Sequence, residues 1–384
     1  MTGIASASAD ATIPDLHEEL PEAFAARGEE EMKQGIRVSK LATLILFAAL
    51  APASAQVCGD TLGPNGTFTL NADIGPCDGA GTAALTIVGP VKVDLNGHQI
   101  SCSALDPSNG IDVQGSAATV TGGSIRGCDA YSLRVGGTGK HSITSITIKG
   151  GADSGDGFVV AGGSTSNRIS GITVTNGGVG FRLGGDKDRL SSLVATNMDD
   201  EGYILTGNGS RIDGLMSTNA TKEGIVIGGN SNRIDRCDAI SSGNAGIEIL
   251  GDGNRLRDCR SILSVGDGFT VAGASNSIVE SDASNNGQRG FDLAGTGTKL
   301  SDSSSVSNTG DGVVVSTGPQ TVSAVRAANN GGNGIQVSGG TGSVVTRSVV
   351  LENGGATDVR DTTSCAGATW TANAFGTSND PCID

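Results

Sequence analysis

The fold of this chain is decided by eight short segments that recur at one fixed interval: Gly180-Phe-Arg-Leu183, Gly202-Tyr-Ile-Leu205, Gly224-Ile-Val-Ile227, Gly246-Ile-Glu-Ile249, Gly268-Phe-Thr-Val271, Gly290-Phe-Asp-Leu293, Gly312-Val-Val-Val315 and Gly334-Ile-Gln-Val337. Each of these glycines lies 22 residues after the previous one. A second apolar position follows each glycine by ten residues, from Leu190 in the first segment to Val344 in the last. A period this strict indicates a stacked repeat architecture.

Within each segment the apolar residues alternate with outward-facing ones, as Phe181 and Leu183 do around Arg182. This alternation is typical of a β-strand. A single 22-residue unit cannot bury its apolar face alone, whereas coils stacked ~4.8 Å apart share one continuous core. The sequence therefore predicts an all-β chain that forms a single-stranded parallel solenoid with about 22 residues per coil.

The pattern resembles the right-handed parallel β-helix of the pectin-lyase-like superfamily, over roughly residues 85–355. The resemblance implies the fold of that superfamily. It implies much less about activity, because the superfamily includes lyases, hydrolases, epimerases, phage tailspikes and non-catalytic surface proteins.

The amino-terminal region changes character abruptly at Met32. Residues 1–31 are acidic and fit neither the repeat nor a targeting signal, so we interpret them as an upstream extension outside the mature protein. Residues 32–55 combine three basic residues, an apolar run and the small-residue site Ala53-Ser-Ala55, the pattern of a secretory signal peptide. The apolar run is too short to span a membrane. The sequence therefore predicts a secreted or periplasmic protein with no transmembrane segment in its mature chain.

Both ends of the repeat region are expected to carry caps, because terminal repeats must cover the open core. Residues 56–84 are assigned to an N-terminal cap and residues 85–355 to the β-helix. Residues 356–384 break the period and contain the only tryptophan, Trp370, so they are assigned to a C-terminal cap.

The eight cysteines of an exported chain favour disulfides. Cys237 and Cys259 hold the same inward position in adjacent coils, and a rise of ~4.8 Å lies within the Cα separation that a disulfide accepts. Two stacked buried thiols are an equal alternative. Proximity in the sequence predicts the other pairs: Cys58–Cys77, Cys102–Cys128 and Cys365–Cys382.

Five aromatic side chains are predicted to stack in the core. One inward position is shared by Phe158, Phe181 and Tyr203 in successive coils, and another by Phe269 and Phe291. Few aromatic side chains are then left to act as stacking platforms for sugars.

A ladder of arginines is predicted on the outer surface, with Asp213 and Asp235 two residues along from it: Arg168, Arg189, Arg211, Arg233 and Arg255. Like charges on adjacent coils are unfavourable unless opposite charges separate them. The ladder therefore indicates a surface lattice of ion pairs, with an anion-binding stripe as the alternative.

Charge and motifs exclude several functions. A formal net charge of −15 disfavours binding to nucleic acid, which requires a basic surface. No Ser/His/Asp arrangement is found. The motifs of pectate-lyase-like and polygalacturonase-like enzymes, Arg-x-Pro-x-x-Arg and Gly-His-Gly, are absent. The Asp-Pro-His motif of alginate epimerase-like enzymes is interrupted here, because Ser108 follows Asp106-Pro107.

Two acidic clusters remain as candidate sites. Glu201 and Glu223 hold one position in adjacent coils, with Asp199 and Asp200 beside the first, and such oxygen ligands suit Ca²⁺. Lys222, next to Glu223, offers a simpler way to offset their repulsion.

Glu248 and Asp292 form the second cluster, on one outward strand face two coils apart. A backbone rise of ~9.6 Å lies near the upper end of the separation used by inverting carboxylate pairs. These two residues are the weak catalytic candidates of the chain.

The sequence as a whole favours a module that binds extracellular or envelope polysaccharide or serves as a surface structure, and it leaves catalysis open. A polysaccharide lyase or glycoside hydrolase with an unrecognised acidic site is the alternative. An adhesin or assembly subunit is a weaker one.

Overall fold

The repeated glycine segments form one face of a parallel β-solenoid. The computed structural model describes residues 56–79, 81–104, 108–150 and 155–383. The predicted upstream extension and signal peptide lie outside these residues. Among the described residues there is no helix, and the strands pair in parallel from coil to coil. The predicted fold class, a solenoid with a spacing of about 22 residues, is confirmed.

The first sheet, called the glycine sheet below, takes one strand from each coil. Among the described residues it has 14 strands: Asp60–Leu62, Ala83–Val88, Asn109–Gln114, Tyr131–Val135, Asp156–Val160, Phe181–Leu183, Tyr203–Leu205, Ile225–Ile227, Ile247–Ile249, Phe269–Val271, Phe291–Leu293, Val313–Val315, Ile335–Val337 and Val359–Asp361.

The second sheet, called the corner sheet, follows the rest of each coil. In the middle coils it is one long bent strand, and elsewhere it is divided into two short ones. Its 21 strands in the described residues are Thr67–Thr69, Ile74–Cys77, Lys92–Asp94, Gln99–Cys102, Thr119–Arg126, Ser142–Lys149, Arg168–Gly177, Arg189–Met198, Arg211–Ala220, Arg233–Ile240, Arg255–Ile262, Ser277–Val279, Asp282–Ser284, Lys299–Ser301, Ser304–Val306, Thr321–Ser323, Arg326–Ala328, Ser343–Thr346, Val349–Leu351, Ala368–Thr371 and Ala374–Phe375.

One residue at the bend of each corner-sheet strand has a left-handed backbone. In successive coils these residues include Ser192, Gly214 and Arg236, with φ angles of 53°, 82° and 59°. The parallel register passes over them, because Ser191 pairs with Asp213 and the next pair is Leu193 with Leu215. The bend turns the corner residue out of the sheet, so its side chain can reach across to a neighbouring coil.

The core contains the predicted aromatic stacks. The ring centroids of Phe181 and Tyr203 are 4.8 Å apart, and those of Phe269 and Phe291 are 4.7 Å apart. Phe158 extends the first stack at 5.8 Å from Phe181. The Tyr203 hydroxyl donates to the Leu193 carbonyl at 2.6 Å, so its one polar atom is satisfied inside the core. These contacts confirm the stacks.

Two buried ladders of polar side chains, which were not among the features predicted from the sequence, support the corners. In the first, the backbone N–H groups of Asn232 and Asn254 donate at 2.8 Å to the side-chain oxygens of Asn254 and Asn276. In the second, the N–H of Asn286 donates to Asn308 in the same way, at 3.0 Å. Buried backbone N–H groups at a turn need such acceptors. The 22-residue spacing of these asparagines is visible in the sequence and could have revealed them.

All eight cysteines are joined in the four predicted pairs. The Cα atoms of Cys237 and Cys259 are 4.4 Å apart, so these two residues cross-link adjacent coils and are not free thiols. The other three bonds lie nearer the ends of the solenoid, with Cα separations of 5.5, 4.9 and 6.4 Å.

The predicted caps contain strands of the solenoid. Residues 56–84 include Ile74–Cys77, which pairs with the following coil. In the C-terminal segment, the buried Trp370 indole donates to Asp361 Oδ2 at 2.9 Å. The boundaries of the caps stay a prediction.

The search for membrane-spanning helices finds none among the residues that the structure describes.

Candidate functional site

The outward column of the glycine sheet contains both catalytic candidates. Register places Val226, Glu248, Thr270, Asp292 and Val314 side by side in successive strands. Glu248 and Asp292 are thus separated by one coil, which carries Thr270. Their surroundings differ, and that difference decides what each carboxyl group can do.

Asp292 is held by two neighbours. Arg289 donates from Nη1 to Asp292 Oδ2 at 2.5 Å, and the Ser316 hydroxyl donates to Oδ1 at 3.3 Å. Both carboxylate oxygens therefore already accept hydrogen bonds, one of them from a cation. This arrangement favours a structural ion pair.

Glu248 has neither a hydrogen bond nor an ion pair among the described residues, and its side chain is half-buried. Burial raises the pKa of Glu248, and the nearby carboxylates of Glu223 and Glu201 raise it further. A raised pKa is the direction that a general acid requires, because the carboxyl group then keeps its proton at a higher pH. Perturbed groups cluster at functional sites, although structural charge networks also produce them.

The candidate calcium ligands lie near one another but already have protein partners. Lys222 forms an ion pair with Asp200, and its Nζ lies 3.6 Å from Glu201 Oε1. Glu223 accepts a hydrogen bond from Asn244 Nδ2 at 2.5 Å. Asp199 is exposed beside them.

The described residues contain one group of three possible ligand atoms within 4.8 Å of one another, formed by Cys365, Asp380 and Cys382. The two sulfur atoms of that group form a disulfide. The acidic stack of Asp199, Asp200, Glu201 and Glu223 stays a candidate site for Ca²⁺, with neutralisation by Lys222 as the alternative.

We expect millimolar Ca²⁺ to leave the thermal midpoint of the protein unchanged, because Lys222 already offsets the charge of Asp200 and Glu201. The measurement is a thermal melt with Ca²⁺ and with a chelator. A stabilisation that is lost in the double variant Glu201→Gln, Glu223→Gln would contradict this expectation and establish a site. Saturation a hundredfold above the dissociation constant would stabilise the protein by ~2.7 kcal/mol, which such melts detect easily.

A groove of about 930 Å³ runs across successive coils of the corner sheet. We call it the arginine groove, because four arginines of the predicted ladder line it: Arg168, Arg189, Arg211 and Arg233. Each begins a strand and precedes a buried residue, as Arg189 precedes Leu190, so strand alternation turns the arginine outward. The four arginines lie in register.

In its C-terminal half the groove is a lattice of ion pairs. Arg233 Nε lies 2.8 Å from Asp235 Oδ2, and Arg257 Nε lies 2.9 Å from Glu280 Oε2. Arg236 reaches from its corner position to Asp213 in the preceding coil, at 2.5 Å. This half matches the predicted ion-pair lattice.

In its N-terminal half the groove is different. Arg168, Arg189 and Arg211 form no ion pair among the described residues. The outward positions two residues along from the first two are Ser170 and Ser191, which cannot neutralise them. This division of the ladder could not be predicted from the sequence. Asp213 lies two residues from Arg211, but in the folded chain it forms its ion pair with Arg236.

The fold defines a class, the parallel β-solenoids, and comparison with known proteins specifies the family. The family model described as "right handed beta helix region" matches residues 109–259 and 201–350. These matches cover more than half of the 384 residues. The chain belongs to the right-handed β-helix family.

Several solved structures are similar to this chain at low sequence identity. The Dettilon tailspike protein is 16% identical, with a TM-score of 0.47, and the comparison covers 76% of this chain. The chain spans 62% of the length of that tailspike. The periplasmic alginate epimerase AlgG is 12% identical, with a TM-score of 0.49, over 77% of each chain.

The A-module of the mannuronan C-5 epimerase AlgE4 from Azotobacter vinelandii is 11% identical, with a TM-score of 0.49, over 78% of this chain and 88% of its own. A search of curated proteins finds no significant match. At these identities the similarity concerns the fold alone.

Proposed function

We propose that this β-helix protein binds polysaccharide outside the cytoplasm, with the arginine groove as its binding surface. The observation that carries the proposal is the in-register row of arginines with no ion pair, set in a long groove. A solenoid repeats the same side chain at steps of ~4.8 Å, which suits a ligand that is itself a repeating polymer. Arginine and serine side chains supply the hydrogen-bond donors that sugar oxygens require.

The extracytoplasmic location rests on two features. All eight cysteines are in disulfides, which persist in oxidising compartments. The signal peptide predicted at residues 32–55 is the route of export. Both features are consistent with a ligand in the envelope or the extracellular medium.

Nucleic acid is a poor ligand for this groove. The net charge of the chain is −15. The residues that line the groove include no aromatic side chain on which a base could stack. The arginines at its C-terminal end, such as Arg233 and Arg257, are already paired with acidic side chains, so they are not available to a continuous phosphate backbone.

A glycoside hydrolase or lyase is the second candidate, and Glu248 is the observation that favours it. Its carboxyl group is unpaired within the described residues and its pKa is raised. Such chemistry also needs a second carboxylate, and the candidate for that role, Asp292, is already in an ion pair with Arg289. Loss of a measured cleavage activity in Glu248→Gln, with binding retained, would support this candidate.

We expect the full chain to bind at least one polysaccharide on a glycan array, and Arg189→Gln to weaken that binding by about tenfold, ~1.4 kcal/mol. The reason is that Arg189 lies at the centre of the unpaired row, with Arg168 and Arg211 on either side. The matched control is Arg360→Gln, which removes another exposed arginine, one that lies on the glycine sheet. An array without binding, or equal effects of the two changes, would overturn the proposal.

A further inference from the structure

The N-terminal half of the arginine groove presents donors and no acidic side chain. We call it the donor half and define it by Arg168, Ser170, Arg189, Ser191 and Arg211. All three arginines are exposed, and none has an ion-pair partner among the described residues. Hydroxyl groups occupy the positions at which the neighbouring coils carry Asp213 and Asp235.

The corner residues follow the same division. In the coils of the donor half the corners are Gly171, Ser192 and Gly214, which carry no charge. In the next coils they are Arg236 and Asp258, followed by Glu280. The later arginines therefore have counter-charges in their own and neighbouring coils. The outward positions beside Arg168 and Arg189 carry serines, and the Asp213 of the Arg211 coil is paired with Arg236.

Three guanidinium groups stacked at a coil step of ~4.8 Å repel one another unless anions lie between them. An anion that lies between two coils must accept hydrogen bonds from the guanidinium groups of the arginines above and below it. A carboxylate has two oxygens in one plane, which match a single guanidinium fork. A sulfate or phosphate ester has three free oxygens that point in different directions, so it can bridge two forks.

We infer that the donor half selects glycans that carry sulfate or phosphate esters. The inference rests on the proposed function, since it specifies the ligand of the same groove. One ester lies between Arg168 and Arg189, and a second lies between Arg189 and Arg211. The site does not extend beyond Arg211, because acidic side chains line the groove from Asp213 onward.

The ligand footprint that follows is short. Three coils provide two gaps, so two esters spaced by about one coil step, ~4.8 Å, saturate the donor half. Longer chains gain little beyond this, because the C-terminal half of the groove is internally neutralised.

The test compares four derivatives of one dextran oligosaccharide: sulfated, phosphorylated, carboxymethylated to the same charge, and unmodified. Binding to the full chain is measured by isothermal titration calorimetry. We expect the sulfated or the phosphorylated form to bind at least about tenfold tighter than the carboxymethylated form. The stronger of the two identifies the ester.

Arg189→Lys separates fork geometry from charge. It keeps the positive charge but removes the planar fork that both gaps share, so we expect a loss of about tenfold for the ester ligands. Arg360→Lys, on the glycine sheet, is the control and should leave binding unchanged. Because both arginines are exposed and have no ion pair among the described residues, the variants should melt as the unchanged protein does.

Each remaining outcome has a definite meaning. Equal binding of the ester and carboxymethyl forms, or no loss in Arg189→Lys, overturns the inference and leaves the proposed function standing. Absence of ester binding while another glycan on the array binds has the same meaning. Tight binding of single-stranded DNA of equal charge would also overturn it, because the groove would then respond to charge alone. Failure of every glycan, on the array and in solution, removes the proposed function as well.

Discussion

The variant Ile249→Asp is expected to destabilise the solenoid by more than about 4 kcal/mol, whereas Glu248→Lys should leave its stability nearly unchanged. Ile249 is fully buried and lies between Ile227 and Val271 in adjacent coils. An aspartate there would place a charge in an apolar core without a partner. It would also remove the side chain that fills the position, at a cost comparable to other large-to-small changes.

The comparison with Glu248 is a matched control, because the two residues are neighbours in one strand and face opposite ways. A lysine at position 248 would stand near the carboxylates of Glu223 and Glu201, which removes a repulsion. The measurement is the thermal midpoint of each variant in a melt that is monitored by circular dichroism. Similar losses in both would mean that the inward and outward faces are assigned wrongly.

The second large effect is a stabilisation, expected for Asp188→Asn at alkaline pH. Asp188 is 1% exposed and belongs to the first buried ladder. Its Oδ1 accepts from the backbone N–H of Asn167 at 2.7 Å and from Asn167 Nδ2 at 3.0 Å. Its Oδ2 is buried and has no hydrogen-bond partner among the described residues. Burial raises the pKa of Asp188 to about 6, although the hydrogen bonds from Asn167 act in the opposite direction.

The sign of the pH dependence follows from that shift. In the unfolded chain an aspartate loses its proton near pH 3.9, whereas in the folded protein Asp188 keeps it until about pH 6. Between these values the unfolded state gains stability from ionisation and the folded state does not. The Asp188 contribution to the free energy of unfolding is therefore highest below about pH 4 and falls until about pH 6. Above about pH 6 the Asp188 contribution stays constant, lower than its value at acidic pH by on the order of 3 kcal/mol.

Asparagine removes this penalty and fits the ladder. The same ladder already uses Asn232, Asn254 and Asn276, whose oxygens accept the backbone N–H of the preceding coil. In Asp188→Asn the new amide group is a donor, and the equivalent amide of Asn232 donates to the Gly207 carbonyl at 2.9 Å. We expect the thermal midpoint of Asp188→Asn to be higher than that of the unchanged protein at pH 8, and close to it at pH 4.

The control for this prediction is Asp186→Asn, the same chemical change two residues away in the same turn. Asp186 is partly exposed and already accepts from Asn208 at 2.7 Å, so the change should alter stability only slightly. Thermal melts between pH 4 and pH 8 are the measurement. If Asp188→Asn is the less stable form at pH 8, or if the dependence on pH survives, the buried carboxyl is not the cause.

Much of the candidate site was outside the reach of the sequence. Glu248 and Asp292 appear equivalent there, because both are acidic residues at the same position of the repeat. Arg289 distinguishes them, because it forms an ion pair with Asp292, three residues later in the chain. Glu248 has no such partner among the described residues. The acidic stack was predicted with Lys222 beside it, and the ion pair of Lys222 with Asp200 is present.

The solenoid, its 22-residue coil and the direction in which most side chains point can all be predicted from the repeat pattern. The same pattern predicts which aromatic rings stack and that Cys237 and Cys259 lie in contact. The reason is that strand alternation is local and a strict period converts it into positions in space. Which of the charged side chains are neutralised is visible only in the folded chain. That outcome depends on corner residues with left-handed backbones, such as Arg236, which reach across coils to partners that no fixed spacing identifies.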